Sequence, residues 1–236
     1  MDEIKIGSKK WMDLIITGAE KLHLCVNREM AGMFAEHADE LALWNRKTNL
    51  TAIVNPADVA VKHFIDSVAA APFIPPDSFV LDIGSGAGFP AIPLKVVLPS
   101  IKVLMIDASR KKISFLKQVI YRLKLDRIEA LHIRAENLAC KNQTNRKNLN
   151  YENAFDVIIC RAFSNLDSFI DMALPLVSEK GKIIALKGKF AGHKIDNLKK
   201  RLTEKGKKDI NVKIHQFELP FVHADRTVIS ICLGGH

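Results

Sequence analysis

The sequence predicts an α/β protein in which helices cover both faces of a mostly parallel β-sheet, with a helical extension before it. Between residues 79 and 188, short and almost continuously apolar segments alternate with amphipathic helical ones, a pattern typical of parallel strands buried on both sides. Before residue 72, apolar residues recur at the three- and four-residue steps of helices. Two adjacent apolar segments near the end of the chain, 209–220 and 225–233, predict an antiparallel hairpin.

The length of 236 residues allows one domain with an extension. A proline-rich connector, APFIPPDS at 71–78, separates the helical pattern from the alternating one. We therefore expect an N-terminal helical extension over residues 1–72 and a sheet-containing domain over residues 73–236.

The extension is predicted to be helical over residues 8–45 and again from Pro56 to about Ala71. Ser8 stands at the N-cap position of the first helix, and two successive apolar periodicities follow it. The segment NRKTNLTAIVNPADV interrupts this pattern. Pro56 suits the first turn of the next helix, because a helix leaves the N–H of that position unpaired in any case.

Five segments of the main domain are predicted as parallel strands. In chain order they are FVLDI at 79–83, IKVLMID at 101–107, RIEALHI at 127–133, FDVIICRA at 155–162 and GKIIALKG at 181–188. Helices are expected over 89–98 and 109–124, and before the fifth strand near LPLVSEKG. The asparagine-rich segment 140–153 has no periodicity, so we expect an exposed, mobile loop there.

Charge and cysteine content favour a cytoplasmic protein with a polyanionic partner. The net charge is +9, with seven basic residues against one acidic residue over 110–127 and twelve against three over 180–213. One such cluster could be a solvated helix face, but two in one half of the chain point towards nucleic acid. The cysteines at 25, 140, 160 and 232 are scattered without metal-binding spacing, as expected in a reducing compartment. No apolar run of about 18 residues indicates a membrane span.

The segment VLDIGSGAGFP at 80–90 is the clearest candidate for a binding site. Its three glycines directly follow a predicted strand, where they weaken pairing and pack poorly. A strand that runs into a glycine turn and then a helix is typical of nucleotide binding, because the ligand can reach the backbone and the helix start offers free N–H groups. The spacing is G-x-G-x-G, with Phe89 where a dinucleotide fingerprint requires glycine.

Asp107 ends the next predicted strand, 23 residues after Gly84. A carboxylate at this place can accept hydrogen bonds from both hydroxyl groups of a ribose. S-adenosylmethionine fits both features, because it has an adenosine and an amino-acid tail but no pyrophosphate. The alternatives are a glycine turn without a ligand and an NAD-type oxidoreductase, and the missing fingerprint glycine counts against the latter.

Seven ordered motifs resemble those of the RsmG (GidB) family of small-subunit ribosomal RNA methyltransferases. They are NLTAI, KHFIDS, VLDIGSGAGFPAIPL, MIDASRKKISFLKQV, IRAENL, CRAFSNL and ALKGK, and the resemblance covers roughly residues 35–235. It implies the fold of a class I S-adenosylmethionine-dependent methyltransferase: Rossmann-like, with a seven-stranded, mostly parallel sheet, a C-terminal antiparallel hairpin and an N-terminal helical extension. It also implies methylation of guanine-N7 in the 530 loop of 16S ribosomal RNA. The substrate would be the RNA itself or the small-subunit particle, and we expect the protein to be a monomer.

The resemblance also implies roles for individual residues. Those expected to bind the cofactor are Gly84, Gly86 and Phe89 at its methionine end, Asp107 at the ribose, Ala135 and Glu136 at the adenine, and Arg161 beside it. Those expected to act on the substrate are Arg161 and Lys187 in catalysis, and Lys187, Arg226 and His63 in RNA binding. Two departures from the family pattern are Ala91, where glycine is usual, and the length of segment 140–153.

Some of these residues also have a purely structural interpretation. Arg161 could be the buried ion-pair partner of Asp82 or Asp66. His63, Asp66 and Ser67 follow the i, i+3, i+4 spacing of one helix face, so they could form a polar cluster at the substrate mouth or a set of helix-packing hydrogen bonds. A metal site is not expected there, because a third ligating partner is missing.

Methylation of guanine-N7 demands little acid–base chemistry. The ring nitrogen has a lone pair and no proton, so catalysis can depend on holding it in line with the methyl group. The sequence has no D/N-P-P-Y motif of amino-group methylation and no Pro-Cys nucleophile of cytosine-C5 methylation. Lys187 could be a solvated lysine at a strand end instead of a catalytic group. A protein that kept the fold and RNA binding but lost catalysis is the remaining alternative.

Overall fold

The computed structural model describes residues 4–138, 151–161, 163, 165–188, 194–204 and 209–234. Its seven strands are β1 Phe79–Ile83, β2 Lys102–Asp107, β3 Ile128–His132, β4 Phe155–Arg161, β5 Val177–Lys187, β6 Asn211–Leu219 and β7 Ala224–Cys232. They form one sheet in the order β3-β2-β1-β4-β5-β7-β6. The pairs from β3 to β5 are parallel, whereas β7 lies antiparallel between β5 and β6. The predicted α/β fold with a reversed last strand is confirmed.

Helices account for most of the remaining described chain. They are α1 Lys9–Lys21, α2 Arg28–Thr48, α3 Pro56–Val59, α4 Asp66–Val68, α5 Ala91–Val97, α6 Arg110–Arg122, α7 Leu166–Ala173 and α8 Lys194–Glu204. A π-helical segment, Ala60–Ile65, joins α3 directly to α4. Short 3₁₀ turns lie at Ala71–Phe73 and Ala135–Asn137.

The N-terminal helices follow the sequence prediction with two differences. The helical stretch predicted over 8–45 is divided into α1 and α2, because Asn27 caps a new helix by accepting a hydrogen bond from the Met30 N–H at 2.9 Å. The helix that opens at Pro56 ends at Val68 and contains the π-helical segment. Ser8 caps α1 as predicted. Residues 140–150 of the expected loop lie outside the described residues.

Two hydrophobic clusters hold the layers together, one on each face of the sheet. Helices α1, α2, α5 and α6 pack on one face, on side chains such as Val80 and Val103. Helices α7 and α8 pack on the other, on side chains such as Leu81 and Ile158. Because α1 and α2 share a cluster with the sheet, they cover the sheet as its other helices do. The division of the chain at residue 72 stays a prediction. None of the described helices combines the length and the apolar character needed to cross a membrane.

The strand order brings the predicted site residues to one edge of the sheet. From β1 the chain moves outward to β2 and β3, then returns to β4 on the other side of β1. In sheets of this kind, ligands bind at the carboxyl ends of the strands where the order reverses. The glycine turn follows β1, Asp107 ends β2, Arg161 ends β4 and Lys187 ends β5.

Candidate active site

The glycine turn after β1 has two glycines beside open space and one that is tightly packed. Gly84, Gly86 and Gly88 all have left-handed backbone, with φ of 75°, 56° and 85°. A Cβ atom at Gly84 would meet nothing within 4 Å, and at Gly86 its nearest neighbour would be the Gly84 carbonyl oxygen at 3.8 Å. At Gly88 it would lie 2.5 Å from the Ile92 side chain. The first two glycines therefore leave the backbone bare towards a ligand, and the third allows helix packing.

Asp107 is tied to this turn by hydrogen bonds. Its Oδ2 accepts from the Gly86 N–H at 3.1 Å and its Oδ1 accepts from the Ser109 N–H at 2.8 Å. Lys112 Nζ lies 3.6 Å from Oδ2. Because each carboxylate oxygen has two lone pairs, Asp107 keeps acceptor capacity for a ribose while it holds the turn in shape.

A second carboxylate, Asp82, lies fully buried in β1 just before the turn. Neither of its oxygens has a hydrogen-bond partner of good geometry among the described residues, although the Ser85 hydroxyl and the Ala91 N–H lie near enough to favour the charged form. Burial raises the pKa of Asp82 to about 7, against the opposing effects of Ser85 and of the Arg161 charge. An unpaired buried acceptor is costly, and it is well matched to a positively charged ligand such as S-adenosylmethionine.

Three stacked rings support the far end of the turn, and we call them the ring column: His37, Phe89 and His63. The His37 ring centroid lies 4.7 Å from that of Phe89, and the His63 centroid lies 4.5 Å away at an interplanar angle of 12°. The Arg161 guanidinium lies 5.1 Å from the Phe89 centroid. Phe89 itself is only 5% exposed, so its packed ring holds the turn against α2 and the π-helical segment.

Both histidines of the column are neutral. Burial lowers the pKa of His37 to about 4, and burial together with the Arg161 charge lowers the pKa of His63 to about 3. His37 Nε2 donates to the Ala87 carbonyl at 2.9 Å, inside the glycine turn. Arg161 Nη2 donates to His63 Nδ1 at 3.1 Å, so the His63 proton is on Nε2 and is donated to Thr51 Oγ1 at 2.9 Å.

Arg161 is held by the π-helical segment and by Asp66. Its Nη1 donates to the Lys62 carbonyl at 3.0 Å and lies 3.6 Å from Asp66 Oδ2. Asp66 also accepts from Arg226 Nε at 3.0 Å. Burial raises the pKa of Asp66, and the two guanidinium groups oppose that shift. Arg161 therefore makes the ion pair foreseen in its structural interpretation, and a π-helical turn supplies the carbonyl that its guanidinium meets.

The other predicted site residues lie at strand ends around this centre. Lys187 donates to the Phe163 carbonyl. Buried Ala135 and exposed Glu136 form the 3₁₀ turn beyond β3, next to the strand that carries Asp107. Arg226, with 21% of its side chain exposed, reaches Arg161 only through Asp66.

The structure thus joins Gly86 to Asp107, and it joins Phe89 and His63 to Arg161. The hydrogen bond described for Lys187 goes to the Phe163 carbonyl instead. The substrate and cofactor roles of all these residues stay predictions. Among the described residues, no group of three His, Cys, Asp or Glu side chains could hold a metal ion.

The sequence assigns no role to His37, and it offers Asp82 only as a structural ion-pair partner of Arg161. His37 lies on the apolar face of α2, three residues after Phe34 and four before Leu41, so a polar residue at a buried helical position was the available signal. The position of Asp82 two residues before Gly84 is visible in the sequence, but its lack of a partner is not.

Solved structures with this fold include several methyltransferases. A putative transferase of Pyrococcus horikoshii matches with a TM-score of 0.58 and 19% identity, over 78% of this chain and 66% of that chain. An SAM-dependent methyltransferase of Aquifex aeolicus gives 0.56 and 16%, over 79% and 98%. TYW2 of M. jannaschii, solved in complex with AdoMet, gives 0.55 and 17%, over 73% and 76%. At these identities the likeness shows the fold alone. With the family match reported next, this fold and its glycine turn define an S-adenosylmethionine-dependent methyltransferase.

Sequence comparison identifies the family within this class. The GidB family model, described as rRNA small subunit methyltransferase G, matches residues 11–221. Ribosomal RNA small subunit methyltransferase G of Geobacter sulfurreducens is 39% identical over 214 residues, 91% of this chain and 94% of the relative. Its counterpart from Acetivibrio thermocellus is 36% identical over 232 residues, 98% and 90%. The chain belongs to the rRNA small subunit methyltransferase G family, as its motifs predicted. Neither an NAD-type oxidoreductase nor an inactive RNA-binding protein is favoured.

Proposed function

We propose that this protein transfers a methyl group from S-adenosylmethionine to N7 of a guanine in the 530 loop of 16S ribosomal RNA. Membership of the rRNA small subunit methyltransferase G family supports this substrate class. The single observation that carries the site is the glycine turn, where Gly84 and Gly86 border open space and the Gly86 N–H is anchored on Asp107.

The residues around the turn fit the parts of the cofactor. When bound, S-adenosylmethionine supplies an electrophilic methyl group on a positively charged sulfur. Asp107 accepts hydrogen bonds from ribose hydroxyls with its remaining lone pairs. Asp82 supplies a buried negative charge at the floor of the turn, where a cationic ligand is favoured. Ala135 and Glu136 border the adenine at the end of β3.

The chemical step needs positioning more than proton transfer. Guanine-N7 carries no proton, and the two histidines of the ring column are neutral and engaged in hydrogen bonds. Correct alignment of two reactants is worth up to about 7–11 kcal/mol in favourable cases. Arg161 holds the π-helical segment and the ring column in place, and Lys187 and Arg226 provide cations for RNA phosphates.

We further infer that the protein works in the cytoplasm as a monomer, on 16S ribosomal RNA or on the small-subunit particle. The net charge of +9 suits a polyanionic partner. The large apolar side chains exposed among the described residues lie on separate segments of the chain. They are Leu43, Val54, Tyr121 and Phe221.

Transfer of a labelled methyl group tests the proposal. Purified protein is incubated with methyl-labelled S-adenosylmethionine and with either protein-free 16S ribosomal RNA or small-subunit particles, and the digested RNA is analysed by mass spectrometry. We expect label in 7-methylguanosine from the 530 loop, its loss in Asp107→Ala, and its retention in the matched variant Asp13→Ala, which removes an exposed carboxylate on α1. Label in another nucleoside, or none with either substrate, would contradict the proposal.

A further inference from the structure

A second concave surface lies between α6 and the edge strand β3, away from the glycine turn. It is a groove of about 790 Å³, and Glu129 stands at its rim. We call it the α6–β3 groove and define it by Lys117, Tyr121, Lys124, Leu125, Ile128 and Leu131. The strand β3 is the end of the sheet in the described residues, so nothing described there pairs with its outer side.

An exposed aromatic ring stands beside this groove. Tyr121 is 80% exposed, although a tyrosine ring gains free energy when it is buried. Lys117 lies one helical turn before Tyr121 on α6, and Lys124 lies just beyond the end of this helix. Both lysines are exposed and line the groove together with Tyr121. An accessible ring between two cations is the arrangement on which unpaired bases stack while the cations meet the backbone phosphates.

The charges around the groove are unbalanced. Lys117 and Lys124 are exposed cations in the groove lining, and Glu129 is the acidic residue there. The nearby Asp126 faces the buried Lys95, whose Nζ lies 3.5 Å from its carboxylate. This excess of positive charge complements a nucleic acid strand.

We propose that the α6–β3 groove binds a single-stranded segment of the RNA substrate, with one base stacked on Tyr121 and phosphates beside Lys117 and Lys124. A duplex would not present a base face to the ring, so an unpaired segment is required. Helix α6 begins beside Asp107, and Tyr121 lies about 16 Å further along it, at 1.5 Å per residue. The groove therefore binds a part of the RNA that is separate from the target nucleotide. The inference rests on the proposed function only in taking RNA as the substrate.

Binding of short RNA probes tests the groove. The probes are an oligouridylate of about 12 nucleotides, within the site sizes of single-strand-binding grooves, and an RNA duplex of equal length. We expect Tyr121→Ala to weaken oligouridylate binding about tenfold and Tyr121→Phe to keep it within about twofold, because the stacking ring is retained. The double variant Lys117→Gln/Lys124→Gln should reduce the slope of log affinity against log salt by about 1.4 for two lost phosphate contacts.

Matched controls separate this effect from general changes. Leu43→Ala truncates a similarly exposed side chain on α2, and Lys9→Gln/Lys47→Gln removes the same charge from α1 and α2. Both should leave oligouridylate affinity within about twofold. Equal affinity of Tyr121→Ala and wild type, or tighter binding of the duplex than of the oligouridylate, would overturn the inference.

Methyl transfer to 16S ribosomal RNA is measured with the same preparations. Tyr121-dependent RNA binding without any methyl transfer would contradict the proposed function and leave the groove supported. Methyl transfer by an enzyme whose RNA affinity is insensitive to Tyr121→Ala would contradict the groove alone.

Discussion

Replacing Arg161 by alanine tests whether the main role of this residue is to stabilise the structure of the site. In the wild type, its guanidinium donates to the Lys62 carbonyl and to His63 Nδ1 and faces Asp66 at 3.6 Å. The side chain is only 15% exposed, so water replaces few of these interactions. Arg161→Ala therefore leaves a buried carbonyl and a buried ring nitrogen without their donor and leaves Asp66 with Arg226 as its described partner.

The magnitude follows from these contacts. Removal of one member of a buried ion pair costs about 3–5 kcal/mol. Because Arg226 still neutralises Asp66, we expect the lower end of that range, about 3 kcal/mol of lost unfolding free energy for Arg161→Ala. The matched control Arg226→Ala, on a side chain that is 21% exposed, should cost about 1 kcal/mol. In an Asp66→Asn background, the cost of Arg161→Ala should fall by about 1–2 kcal/mol.

Urea unfolding followed by tryptophan fluorescence gives these free energies, and the two tryptophans of the chain serve as probes. Calorimetric titration with S-adenosylmethionine is performed on the same samples. The reasoning predicts lost stability together with weakened cofactor binding, since the ring column behind the turn is loosened. A stability loss below about 1 kcal/mol with normal cofactor binding and abolished methyl transfer would refute it, and would assign Arg161 to chemistry instead.

Four further substitutions have specific expected outcomes. Gly86→Val should lose S-adenosylmethionine binding in calorimetry, because its side chain enters the open space beside the turn and valine is strained at the φ of 56° found there. Gly88→Val should lower the melting temperature, because a Cβ there lies 2.5 Å from Ile92. Retained binding in Gly86→Val would contradict the role of the turn. Because burial raises the pKa of Asp82 to about 7, its contribution is most favourable below about pH 4 and is lost as the pH rises to about 7, by up to about 4 kcal/mol. Asp82→Asn should flatten that decline in urea unfolding, and an unchanged pH profile would count against it. Because burial lowers the pKa of His37 from 6.5 to about 4, its contribution to stability is lost as the pH drops through that interval, by up to about 3 kcal/mol. The pKa of His63 is lowered in the same direction, to about 3, so the measured quantity is the difference between His37→Phe and wild type. His37→Phe keeps a ring in the column, and its stability relative to wild type should rise by up to about 3 kcal/mol as the pH falls from 6.5 to 4. A difference that stays constant over this interval would refute the assignment.

The sheet was predictable because its strands are buried on both faces. In a chain where short apolar segments alternate with amphipathic helices, a segment such as FVLDI is interpreted as a buried parallel strand. Strand β1 begins and ends where the sequence indicates. Strand β5 instead begins at Val177, four residues before the predicted start. The first residues of β5 include Glu179 and Lys180, which are polar and exposed. A search for apolar patterns does not detect such residues.

The glycine turn and the carboxylate that holds it were also predictable, because they depend on local sequence. Left-handed glycines and a carboxylate at the next strand end are visible as letters, and the Gly86–Asp107 hydrogen bond joins them as expected for this fold. The sequence did not show that Gly88 has a packing role different from that of the other two glycines. It depends on the contact with Ile92 across the first turn of α5.

The ring column and the π-helical segment lay beyond sequence reasoning. His37 and His63 are 26 residues apart in the sequence. Both stack on the Phe89 ring because α2 and the π-helical segment pack there. Nothing in the sequence KHFID distinguishes a π-helical turn from an ordinary one, and the Arg161 guanidinium that its Lys62 carbonyl meets lies 99 residues away. Tertiary contacts of this kind decide whether a polar residue supports a site or lines it.

Mass spectrometry of 16S ribosomal RNA from cells with and without this gene is the decisive test of the proposed function, and a third strain carries the Gly86→Val variant. We expect 7-methylguanosine in the 530-loop fragment only in the strain with the wild-type gene. The same modification in all three strains, or a methyl group lost from another nucleotide, would contradict it.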